Sequence, residues 1–148
     1  MFSSLVGTGD DLKPSADAAE SWKVTGLEYS FLLKQGLKFS NGRDVNKADL
    51  EFSFKEALLP TSPFASYFRN VGKIEVKEAD SRLLVTIKLS IPSASFLTDL
   101  AVIKILPAQE IAASPAEFEA KPMGTGPYQM VSSDTNSVSL TANQYAFE

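Results

Sequence analysis

The chain has no cysteine and no histidine in its 148 residues. The first absence removes disulfides, thiolate metal sites and a cysteine nucleophile. It is compatible with cytoplasm or periplasm and decides neither. The second removes the commonest zinc ligand and the commonest general base. No segment has the run of about 20 apolar residues that a membrane helix needs, and Met1 to Val6 is too short for a charged-then-apolar export signal. Lysine and arginine number 14 against 18 acidic residues, a net charge of −4, and they form no basic cluster. Nucleic-acid binding relies on such clusters to neutralise phosphates and is disfavoured. What is present is the make-up of a folded chain, 44% hydrophobic and 22% charged. A domain of this size buries about 68–70% of its unfolded surface.

The stretch Leu27 to Phe54, LEYSFLLKQGLKFSNGRDVNKADLEFSF, organises the rest. Leu27, Tyr29, Phe31 and Leu33 alternate with Glu28, Ser30 and Lys34, the period of a half-buried strand. Gly36 interrupts, Leu37 and Phe39 resume, and Asn41-Gly42 marks a tight turn because both residues tolerate positive φ. Asn46 is positioned to cap a helix, with Asp49 in a capping-box position. Leu50, Phe54 and Leu58 then lie on one helical stripe. The pattern predicts Tyr29 and Phe31 packed against Leu50 and Phe54 in an α+β layer: a mixed, largely antiparallel sheet with a few helices on it.

Elsewhere the signals are more local. Phe2 to Val6 reads as a short strand before a turn at Gly7–Asp11, and Ala16 to Trp22 as a turn or loose helix. Trp22 is the single tryptophan, best used as packing at the core edge. Pro60 stops the first helix, and Ser62-Pro63 can open another over Phe64–Phe68. Lys73–Lys77 and Leu83–Ile91 alternate as a hairpin joined through Glu78–Arg82. Ser93 or Ser95 begins a helix carrying Phe96, Leu97, Leu100 and Ala101. Val102–Leu106 is a short β-rich run. Ala108–Ala113 and Pro115–Ala120 read as short helices, the second capped by Ser114. Gly124-Thr125-Gly126-Pro127 lacks a third glycine and has proline where a helix would open, so it is no dinucleotide fingerprint. It reads as a bend into a strand at Tyr128–Ser132, with a hairpin turn at Asp134–Ser137 leading to Val138–Thr141.

Several of these pieces carry a family resemblance. Tyr29-x-Phe31-x-Leu33-Lys34-x-Gly36-x-Lys38-Phe39-x-Asn41-Gly42, followed by Asp49-Leu50-x-Phe52-Ser53, resembles the peptide- and nickel-binding extracellular solute-binding proteins of ABC importers. Ala19-Glu20-Ser21-Trp22-Lys23-Val24 is similar to their lead-in. Pro122-Met123-Gly124-Thr125-Gly126-Pro127-Tyr128 resembles their second motif, and Leu140-x-x-Asn143 resembles the stretch C-terminal to it. Arg43-Asp44 and Lys47 stand where other residues are common. The resemblance implies a periplasmic-binding-protein-like fold, here a partial one from the N-terminal lobe. Residues 1–26 would be a strand and lead-in from the main ligand lobe, 27–121 a small α+β subdomain, and 122–148 return strands. It also implies an excised piece, with Met1 supplied for expression and the export signal and second lobe lacking. In the oligopeptide-binding branch a Ser-Pro-aromatic-Ala-Ser-aromatic run sets its first aromatic against bound peptide. That position is Phe64, and Tyr67 is the second aromatic, so both are candidate ligand-binding residues. The alternative is that Phe64 and Phe68, at i and i+4, pack a helix face on the sheet.

Three function classes are open to such a chain. The resemblance implies a binding module that captures a peptide or other small solute and delivers it to a membrane permease. It would be exported to the periplasm or cell surface, monomeric as this piece, and without cofactor, metal or nucleic acid. An enzyme would need a Ser-Lys or paired-carboxylate site. Asp10, Asp11, Asp44, Asp49, Asp80, Asp99 and Asp134 are scattered in turns and helix starts, where aspartate has structural uses, so no catalytic residue is assigned. A ligand-sensing domain of a regulator, or an interaction module, is the third class.

Overall fold

The computed structural model describes residues 1–147; Glu148, the last residue of the 122–148 segment, lies outside them. Strands β1 (Val6–Thr8) and β2 (Pro14–Ala16) form a small hairpin. Four antiparallel strands follow in the spatial order β3-β4-β6-β5, with β3 Ala19–Thr25, β4 Glu28–Leu33, β5 Val71–Ala79 and β6 Arg82–Leu89. Helices α1 (Lys47–Leu58), α2 (Phe96–Asp99), α3 (Ala108–Ala113) and α4 (Pro115–Ala120) lie between and after them. A last hairpin is formed by β7 (Tyr128–Ser133) and β8 (Val138–Ala142). The fold is α+β with antiparallel sheets. Among the described residues no helix is long and apolar enough to cross a membrane.

The core follows the alternation in β4. Tyr29, Phe31 and Leu33 are buried with Leu50 and Phe54 of α1 in one cluster that also takes Val76, Val85 and Ile87. Tyr29 sits edge-on to Phe96 at 4.7 Å, and Phe96 edge-on to Phe68 at 6.5 Å. Helix α1 starts where the capping box places it. Asn46 Oδ1 accepts from Asp49 N–H, and Asp49 Oδ2 accepts from Asn46 N–H. Gly42 closes the preceding turn at φ +87°, a left-handed conformation that L side chains resist. Leu37 and Phe39 are buried as expected, but the chain there makes one bridge, Lys38 to Asp44, not a strand.

Several expectations are corrected. Ala16–Trp22 is not a turn or loose helix: β3 pairs with β4, with Trp22 opposite Phe31. As an edge strand it is exposed along much of its length, so it carries no clean alternation. Pairing supplies what propensity does not. The N-terminal strand begins at Val6 rather than Phe2, and the turn falls at Gly9–Lys13. Ser3–Leu5 is held by neighbours instead, with Ile105 N–H donating to Ser3 O and Ala19 N–H to Leu5 O. Val102–Leu106 is likewise no strand. A 3-10 turn covers Leu100–Val102, and Lys104 makes one bridge to Ser4. The segment after Pro63 is a 3-10 turn over Ala65–Phe68. In the β5–β6 hairpin the loop is shorter than Glu78–Arg82: Ala79 already faces Arg82, leaving Asp80-Ser81 as the turn. Strand β6 ends at Leu89, so Ile91 is exposed.

The Gly124–Pro127 bend has a steric cause. A Cβ on Gly124 would lie 2.4 Å from Met1 O, and one on Gly126 would lie 2.7 Å from Met1 C. Gly126 N–H donates to Met1 O at 2.8 Å. Two glycines let the bend press against the first residues before β7 leaves.

Candidate functional site

The Phe64 segment is built by a stop and a short restart. Leu59 leaves the helical region at ψ 139°, and Ser62 N–H donates to Leu59 O at 2.8 Å. Ser62 Oγ accepts from Phe64 N–H at 3.2 Å, and Phe64 O accepts from Tyr67 N–H at 3.0 Å. The three aromatics of the segment diverge. Phe68 points into the core at 3% exposure, while Phe64 is 37% exposed and Tyr67 53%. Phe68 therefore anchors the segment, and the two candidate ligand residues remain available.

Phe64 forms a wall of a cleft of about 280 Å³ between the end of α1 and the 102–106 segment. Ala57, Val102 and Leu106 contribute apolar surface, and Glu56 and Lys104 stand at its edge. Tyr67 shares the segment but does not line the cleft. The Ser53 hydroxyl offers no free polar contact there, because it donates to Asp49 O at 2.6 Å and accepts from Leu106 N–H at 2.8 Å. Lys104 Nζ donates to Ala101 O at 2.6 Å. The cleft can grip an apolar group by packing, and Phe64 adds no hydroxyl to that contact.

Beside the cleft, an ion cluster that no sequence motif announces ties α1 to α3. Arg43 Nη1 and Nη2 each donate to Asp49 at 2.9 Å, and Nε and Nη2 each donate to Glu110 at 2.7 Å. Asp49, 1% exposed, also accepts from Ala108 N–H at 2.9 Å. The guanidinium lies 4.7 Å above the Phe39 ring. The turn, α1 and α3 are thus tied together, and the 102–107 segment is held against α1. Hydrogen bonds from Arg43 hold the Glu110 carboxyl below its ordinary range, and the two carboxylates raise Arg43 further. One guanidinium thus binds both the Asp49 and the Glu110 carboxylate. The sequence signal that could have found the cluster is Asp49 itself, an acidic residue directly beside the apolar stripe of α1. Among the described residues no group of acidic side chains could hold a metal ion, and no buried side-chain polar atom lacks a partner.

The profile of the bacterial extracellular solute-binding proteins, family 5 Middle, matches residues 13–147. The chain belongs to this family. Glutathione-binding protein GsiB of Salmonella typhi is 30% identical over 136 residues, covering 88% of this chain and 26% of that protein. The NikZ structure from Campylobacter jejuni in complex with Ni(L-His) superposes with a TM-score of 0.85 at 27% identity, over 99% of this chain and 30% of that one. The oligopeptide-binding protein AppA of Bacillus subtilis, in complex with a nonapeptide, gives 0.84 at 26% identity, over 98% and 31%. The chain therefore spans about a quarter of the curated relatives' length and under a third of these solved structures. Within this family the α+β layer is the expected architecture, and Arg43 is the centre of the ion cluster.

Proposed function

We propose that the chain is part of an exported solute-binding protein that captures a peptide or similar small solute and delivers it to the membrane permease of an ABC importer. It catalyses no reaction, works in the periplasm or at the cell surface, and is monomeric as this piece. The observation that carries the reading is the family match along residues 13–147. Support for a peptide-like solute comes from relatives named for glutathione and solved with a nonapeptide; nickel-histidine in another relative marks how far ligands range within the fold. Phe64 supplies the apolar wall for the solute, and Tyr67, exposed beside it, a second contact. In the longer protein the 27–121 unit stands beside the main ligand lobe, with 1–26 and 122–148 leading into that lobe. The pairing of β3 with β4 draws residues 19–25 toward the central unit.

Such proteins close two lobes on a ligand, a shift between open and closed populations. One part of one lobe forfeits most of those contacts. Calorimetric titration of the 148-residue chain with a peptide mixture is expected to show no heat of binding at micromolar concentrations, and micromolar affinity would contradict the reading. In a longer protein that binds peptide, Phe64→Ala is expected to weaken affinity by about tenfold, the loss of one buried aromatic contact. Unchanged affinity would remove Phe64 from the site.

A further inference from the structure

One chemically reactive dipeptide lies outside the Phe64 cleft. Asparagine occurs at five positions, and only Asn41 is followed by glycine. With no Cβ on the next residue, the amide nitrogen after Asn41 is unshielded and can attack the asparagine side chain. The Gly42 nitrogen bonds to Asn41 Cγ and gives its proton to a solvent base. The Cγ–Nδ2 bond breaks and ammonia departs. Water then opens the cyclic succinimide at either carbonyl, leaving aspartate or isoaspartate. Nothing is oxidised or reduced. Asn41 is exposed, so water and base reach it.

The folded turn engages each reacting group. Gly42 N–H, the nucleophile, already donates to Phe39 O at 2.9 Å. Asn41 Oδ1 accepts from Arg43 N–H at 3.0 Å, and Asn41 Nδ2 donates to Glu110 Oε1 at 3.1 Å. Rotating the side chain for attack gives up both of these. Glu110 is fixed in turn by Arg43 Nε and Nη2, at 2.7 Å each. The backbone around the turn is closed by Phe39 N–H on Arg43 O and Val45 N–H on Leu37 O, both at 2.9 Å. The reaction therefore has to wait for the turn to part from α3.

We propose that Asn41 is a deamidation site restrained by the Arg43–Glu110 pair, and that its conversion loosens the contact between the turn and α3. The product puts a carboxylate oxygen in place of the Nδ2 donor beside Glu110 Oε1. Like charges at that distance repel, and the new carboxylate competes with Glu110 for one guanidinium. Isoaspartate also adds a methylene to the backbone of the turn. The inference rests on the turn and does not depend on the transport reading.

The test is incubation of the 148-residue chain in mildly alkaline buffer, with peptide mapping by mass spectrometry to follow amide-to-acid conversion at each asparagine. Asn41 is expected to convert at least about tenfold more slowly in the folded chain than in guanidinium chloride, the factor that one or two hydrogen bonds supply. Glu110→Ala removes the acceptor and is expected to speed conversion at Asn41 by about tenfold. Ile87→Val lowers the stability of the core, where Ile87 is buried in β6 away from the turn, and should leave Asn41 at the parent rate. If Glu110→Ala does not fold, the comparison of folded and denatured parent still decides. The deamidated chain, separated by its extra negative charge, is expected to show faster amide exchange over residues 108–113 than the parent. Conversion as fast in the folded chain as in denaturant, a Glu110→Ala variant that converts like the parent, equal acceleration in Ile87→Val, or unchanged exchange over 108–113 would each overturn the proposal.

Discussion

Arg43 decides more of the local geometry than any other single side chain. Its planar fork meets two carboxylates at once, which a lysine ammonium cannot reproduce. Removing it leaves Asp49 buried with only backbone donors, and uncompensated buried charge is costly. Arg43→Met is expected to destabilise the chain by about 3 kcal/mol, read from the urea midpoint, and Arg43→Lys to recover little of that loss. A cost under about 1 kcal/mol would mean that the cluster is incidental to stability. Glu110 adds a pH signature. Its folded pKa is depressed from the ordinary 4.5 by the Arg43 hydrogen bonds, so the unfolded chain takes up the proton first as pH falls. The stability it contributes is fully present above pH 4.5 and is lost below, through the folded value. Glu110→Gln should flatten the stability profile in that acid window while lowering stability at neutral pH. A profile as steep as the parent's would place the acid sensitivity elsewhere.

Among the elements, the β5–β6 hairpin shows a tension between sequence and turn. Asp80 and Ser81 lie at φ +52° and +61°. That is the backbone of a two-residue hairpin turn, which favours Asn-Gly or Asp-Gly. A serine there carries a left-handed cost of about 1–2 kcal/mol. Ser81→Gly is expected to raise stability by about 1 kcal/mol with an unchanged denaturant slope; a lower midpoint would show that the turn is not strained. The same hairpin illustrates what is legible in a sequence. Strands β4 and β6 and helix α1 each bury one face, so their period and the Asn46 cap are written in consecutive residues. Strand β3 buries too little for a period to form, and the 102–106 segment is fixed by Ser4 and Ser53 from distant parts of the chain. The cleft divides in the same way. Phe64 could be found from its local run, but the wall facing it is held by Leu106 N–H on Ser53 Oγ, 53 residues apart. No window of sequence contains that pairing.

At the scale of the whole molecule, the β7–β8 hairpin is the least supported part. Tyr128, Val131, Val138 and Leu140 are each at least half exposed, and among the described residues the ladder pairs with no third strand. Its attachment is at its base: Gly126 N–H to Met1 O, Ser3 N–H to Thr125 Oγ1, Ser40 N–H to Gly124 O, and Asn143 Nδ2 to Gly126 O. A two-stranded ribbon with so little burial is marginal in water, and opening it should cost far less than opening the central sheet. Hydrogen exchange is expected to run fastest at residues 129–141 and slowest in β4 and β6. Gly124→Ala, whose new methyl would meet Met1 O, should speed exchange in the hairpin further while leaving the β4 and β6 amides protected. Since the chain covers only 26% of a curated relative, the same hairpin in a longer protein should gain protection if the added chain covers its apolar residues. Equal protection of β7–β8 and β4 in the 148-residue chain would mean that the hairpin is held by more than its base.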